Sequence, residues 1–205
     1  MKNLLSCLLL GFIIISCAPA VNEDTGGNLQ DSFADSLFSH NGQTAFNSSD
    51  LIADYDTAAK QYRLTALSDD HRKMLTDTLF GSSPYSAYYY SRHTKVGTAL
   101  PLTILSEATD ASPVHLFILA GDGSVAAAMK LADDNCDTQG ANGERSECDT
   151  RYSAFADDST VVVTDIFRSA AGKVASVDSV VTTYRITRAG ELKVVNAVDF
   201  TTRNP

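Results

Sequence analysis

The residues of this chain that are equipped for chemistry are few and mostly scattered. One run of oxygen donors has a ligand-like spacing. Asp133, Asn135, Asp137 and Glu144 stand at the first, third, fifth and twelfth places of an EF-hand-like loop. Hard oxygens of this kind suit calcium, the one cofactor the sequence suggests. The pattern is incomplete: its sixth place is Thr138 rather than Gly, the residues ahead of it read as strand, and Cys136 falls inside it. His40, His71, His93 and His115 form no His-x-x-His or His-Glu-x-x-His pair, so zinc chemistry has no anchor. Gly121-Asp122-Gly123-Ser124-Val125 lacks the flanking geometry of a nucleophile elbow and reads better as a hairpin turn. Asp69/Asp70 and Asp157/Asp158 are paired carboxylates in capping or turn contexts. No catalytic residue emerges.

Tyr85, Tyr88, Tyr89 and Tyr90 form the one aromatic cluster. Neighbours on a strand point to opposite faces, so at least one of them should be partly exposed, which makes the cluster a candidate partner surface. The plainer reading is a sheet surface lying under helices.

The first seventeen residues fix an address. Met1-Lys2-Asn3 is basic, residues 4–15 are almost wholly apolar, and the run is too short to span a bilayer as a helix. It closes on Ile14-Ile15-Ser16-Cys17, which resembles the lipobox of bacterial lipoproteins. The resemblance implies that residues 1–16 are a signal peptide and that the Cys17 thiol carries a diacylglycerol. Its new amino terminus would take a further fatty acid such as palmitate. Ala18, in place of Asp, favours the outer membrane, facing the periplasm or the cell surface. Two or more acyl chains make such attachment effectively permanent. Of the four cysteines, Cys7 would be discarded and Cys17 acylated, which leaves Cys136 and Cys148 to pair in an oxidising compartment.

The formal charge is −9, and signal cleavage would remove one further positive charge, Lys2. Such a surface repels phosphate backbones, so nucleic acid is excluded as a partner. Membrane contact is expected through lipid, and an envelope protein or small ligand is the expected partner.

These groups need elements to hold them. Residues 17–28 read as a polar tether and 29–205 as one globular domain. Apolar spacing predicts a short helix over 29–39, a second along Leu51, Ile52, Tyr55, Ala58, Ala59 and Tyr62, and a third capped by Ser68. Seven apolar or alternating segments then follow: 85–91, 99–105, 114–120, 125–131, 160–167, 177–186 and 192–200. Short connections between them force antiparallel neighbours. The expected fold is α+β and mainly β, an antiparallel meander of six or seven strands, curled or half-closed, with two or three short helices packed on it. With no nucleophile, metal or phosphate motif, the expected function is a non-catalytic binding or structural module. The alternative is an anchored envelope hydrolase whose site assembles from residues distant in sequence.

Overall fold

The computed structural model describes residues 29–47, 64–79, 86–107, 113–139, 145–171 and 174–204. The signal segment, Cys17, the tether, the expected helix over 51–62, Tyr85 and Glu144 lie outside these residues. The described chain is mostly strand, and it carries one α-helix, α1 (Asp69–Leu79). Ten strands make one antiparallel sheet: β1 (Ala45–Asn47), β2 (Thr65–Ala66), β3 (Ser86–Arg92), β4 (Leu100–Glu107), β5 (Val114–Leu119), β6 (Val125–Gln139), β7 (Arg145–Asp157), β8 (Thr160–Ala171), β9 (Val174–Ile186) and β10 (Leu192–Asn204). The meander is as expected, and the sheet is open. The strand count is corrected upward, and of the three expected helices one, α1, is found among the described residues. The predicted helix over 29–39 is instead two 3-10 turns, Leu29–Ser32 and Asp35–Leu37. Phe33 and Phe38 need only single turns to reach the core they fill.

The sheet order is β10-β9-β8-β7-β6-β5-β4-β3-β2, with β1 added against β7. Strand β6 has two halves with different partners. Residues 125–132 pair with β5, and 133–139 pair with β7 on the other edge. Laid flat, β4 and β9 would sit about 24 Å apart, five spacings of roughly 4.8 Å. Yet Thr98 Oγ1, just before β4, donates to the Arg188 carbonyl just after β9, at 3.2 Å. The sheet therefore folds over at β6. Leu105, Val114, Leu116 and Ile118 of its first half pack with Phe155, Val161, Val163 and Ile186 of its second in one buried cluster. Gly190 sits at φ 94° in the β9–β10 turn, where a Cβ would come within 2.9 Å of Ala126. Only glycine allows that close an approach.

The other face of β3–β5 is a second core. Ala87, Tyr89, Leu100, Leu102, Ile104, Phe117 and Leu119 are covered by Leu75 of α1 and by Phe33 and Phe38. Ser68 caps α1, accepting from the His71 backbone N–H at 3.3 Å, with Asp69 and Asp70 in the first turn as the helix dipole favours. Gln30, 1 % exposed, fastens the N-terminal segment to the sheet. Its Nε2 donates across the carbonyls of Thr98, Leu119 and Ala120, and Leu29 lies against Gly123 in the β5–β6 turn.

Strand β8 is 12 residues long and β7, β9 and β10 are each 13, against 6 for β5. The ends of these strands that carry Phe155, Val161 and Ile186 sandwich the core, and the remainder projects as a blade with residues 133–139 of β6. Replacing Gln30 by Met should cost about 1–3 kcal/mol, because buried carbonyls lose their donor. Urea unfolding of wild type and Q30M checks it; equal midpoints would mean that the amide does not fasten this segment.

Candidate functional site

The blade inherits its faces from the core. Along β8, Val161 and Val163 are buried; the same inward phase continues through Asp165, Phe167 and Ser169. On β7 the matching positions are Phe155, Ser153, Arg151, Asp149 and Glu147, and on β9 they include Thr182, Val180, Asp178 and Ser176. Where the first half of the sheet stops covering this face, apolar side chains give way to charged ones.

The result is a trough on the concave side. A cavity of about 220 Å³ is lined by Lys130, Asp133, Asp149, Arg151, Asp165 and Phe167. A second, of about 140 Å³, shares Asp149 and Phe167 with it and adds Glu147, Arg168, Ser169, Ser176 and Asp178. Two acids are neutralised in place. Arg151 grips Asp165 through Nε and Nη2 on its two carboxylate oxygens, and Lys130 Nζ pairs with Asp133. The hydrogen bonds that Arg151 donates to Asp165 raise the Arg151 pKa above its ordinary value, against the effect of burial. Asp178 Oδ1 is buried and accepts no hydrogen bond from the described residues, while Phe167 is 45 % exposed in the floor. A surface built this way suits a guest that brings N–H donors, positive charge and an apolar stem.

The calcium-like set is placed in part, Glu144 lying outside the described residues. Asp133, Asn135 and Asp137 lie on one face of β6 at two-residue intervals, paired in register with Arg151, Asp149 and Glu147. An extended strand spaces such side chains about 7 Å apart and cannot wrap an ion as a loop does. Among the described residues, no group of three His, Cys, Asp or Glu side chains is placed to hold a metal.

Cys136 and Cys148 are directly opposite in the β6–β7 register, with sulfurs 2.18 Å apart in a disulfide, and they face away from the trough. Of the tyrosine cluster, Tyr88, Tyr89 and Tyr90 lie on β3 among the described residues. Tyr89 is 2 % exposed, its hydroxyl 2.6 Å from His71 Nδ1, and Tyr90 is buried and stacked on His40. Only Tyr88 of the described three is partly exposed; Tyr89 and Tyr90 each serve one of the two cores. Asp149, Arg151, Asp165, Phe167 and Asp178 went unrecognised in the sequence. The available signal was a carboxylate at the inward phase of two otherwise apolar, alternating strands: Asp165 after Val161 and Val163, and Asp178 before Val180.

Two hydroxyl–imidazole pairs resemble parts of hydrolytic machinery. Ser91 Oγ lies 3.0 Å from His93 Nε2, but Ser91 is fully buried and also held by Thr103. Ser32 Oγ lies 2.7 Å from His71 Nε2 and 2.6 Å from the Leu29 carbonyl, and His71 stacks on Phe33 with ring centroids 3.8 Å apart. This arrangement pins the N-terminal turns to α1.

Two neutral histidines bear on acid stability. Burial drives His93 down to about 4, against the opposing effect of Asp158, and His115 down to about 3, with Lys130 pushing the same way. Unfolding returns both to an ordinary value near 6.5, so the unfolded chain binds protons that the folded chain refuses. Their contribution is full above about pH 6.5 and is lost as pH falls through 4 toward 3. His93→Phe and His115→Phe should each flatten the acid limb of a melting-temperature profile; an unaltered limb in both would assign acid sensitivity to other groups.

The Arg151–Asp165 pair should show a coupling of about 1–2 kcal/mol in a double-mutant cycle of Arg151→Met and Asp165→Asn, reduced from a fully buried pair because water reaches it. Additive single effects would make the pair incidental. The chain matches no family model, no curated protein and no solved structure, so its function is read from this geometry.

Proposed function

We propose that this protein is a bacterial envelope lipoprotein, held by acyl chains on Cys17, whose domain is a non-catalytic binding module. Its binding surface is the concave trough of the blade, and its guest is a donor-rich cationic chain such as a basic peptide segment. One observation carries the reading: inward-phase strand positions carry carboxylates around an exposed Phe167, with a buried Asp178 oxygen lacking a donor among the described residues. A face that served only as core would continue the apolar series of Val161 and Val163.

The address rests on Ile14-Ile15-Ser16-Cys17, with Ala18 favouring the outer membrane. The N-terminal segment joins the domain beside the β5–β6 turn, at the end opposite the blade tip. A tether over residues 17–28 would thus hold the domain by one end and leave the trough clear of the bilayer. The hydrolase alternative draws no support from Ser91 and His93, because that hydroxyl is sealed.

Titration with oligolysine checks the trough. Binding should weaken as salt rises, and Asp149→Lys or Phe167→Ser should each weaken it about tenfold, which is about 1.4 kcal/mol. Oligoglutamate binding as tightly, or both variants binding like wild type, would remove the trough from the proposal. Labelling cells with radioactive palmitate checks the anchor separately: wild type should take up label and Cys17→Ala should not.

A further inference from the structure

Strand β10 ends the sheet, and among the described residues its far edge has no strand partner. A long free edge offers a row of backbone donors and acceptors to another strand. The usual protections are thin here. The bulge at Val194/Asn196 blunts only the start, and from Asn196↔Thr183 to Asn204↔Ala175 the register with β9 is unbroken. No proline occurs in residues 192–204, and Lys193, near the beginning, pairs with Glu191 at 3.0 Å.

The convex face beside this edge is uncharged. Asn196, Val198, Phe200 and Thr202 share it, with Val198 40 % and Phe200 55 % exposed. It continues across β9 through Val181 and Val177. In a chain of formal charge −9, two copies repel over most of their surfaces, and this neutral strip is where they can meet.

We propose that the chain pairs with a second copy of itself, edge to edge along β10, antiparallel about a two-fold axis through Phe200. That register sets Phe200 against Phe200, Val198 of one copy against Thr202 of the other, and Asp199 against the Thr201 hydroxyl. No like charges are opposed. An axis through Asp199 would place two carboxylates directly across from each other, which is unfavourable, and an axis through Val198 would leave Asp199 facing Ala197 without a donor. The interface is isologous, so it closes as a dimer and does not propagate. It does not depend on the trough, which lies on the opposite face.

The test is crosslinking of the full chain in detergent, with Cys7→Ser and Cys17→Ser as background. A mixture of Val198→Cys and Thr202→Cys chains should form a species of doubled mass on a non-reducing gel, while either variant alone should not. Phe200→Cys should crosslink to itself. Adding Phe200→Lys to the mixed pair should abolish the doubled species without lowering the melting temperature, since Phe200 is exposed. A mixture that stays monomeric, or one that crosslinks no better than each variant alone, overturns the proposal.

Discussion

Between Ala132 and Asp133, strand β6 gives up β5 and takes β7 on its opposite edge. A strand paired this way belongs to two half-sheets at once. The half-sheets close on each other because both present apolar side chains to the same side: Leu131 and Ala132 on β6 itself, Leu116 and Ile118 on β5, Val161 and Val163 on β8. Burial of these side chains, at roughly 25 cal/mol per Å² of apolar surface removed from water, drives the closure. Strand β1 completes the arrangement. It pairs with β7 at residues 152–154, directly beyond the reach of β6, so the edge vacated at the switch is filled.

From that closure comes the contrast between the two ends of the long strands. One end is dry, and several of its buried polar side chains are tied: Gln30 to three carbonyls, Ser91 to Thr103, Tyr89 to His71. The other end is wet on both faces. There the inward phase can carry Asp149 and Asp165 without the desolvation cost the core would impose. Cross-strand ties replace hydrophobic burial as the source of rigidity: the Cys136–Cys148 bridge on one face, and Arg151 with Asp165 on the other.

Some of this was legible in the residues. The runs that became β3, β4, β5, β8 and β9 are apolar or alternate plainly, Ser68 with two following acids marks α1, and the β5–β6 glycine turn is where the sequence puts it, with Gly123 at φ 85°. Strand β7 was not legible. Arg145–Asp157 mixes Glu, Asp, Arg and Ser with isolated aromatics, because half of it lies in the blade, where neither face is buried and no apolar phase exists to read. The same condition disguised residues 133–139 as a loop and produced the calcium-like spacing. The adjacent tyrosines Tyr89 and Tyr90 serve two cores, one on each side of the strand, because neighbours on a strand point to opposite faces.

The seating of Gln30 has a mechanical consequence. If the chain is pulled from its amino end, force enters beside Leu29 and Gly123 and first meets a side-chain plug, not a strand. Behind the plug come the Phe33 and Phe38 anchors and then β1, whose three residues lie alongside β7 and would be loaded in shear. A drag on the domain would therefore strip the N-terminal turns in steps, each rupture paying out chain, before the rest of the sheet felt the full tension.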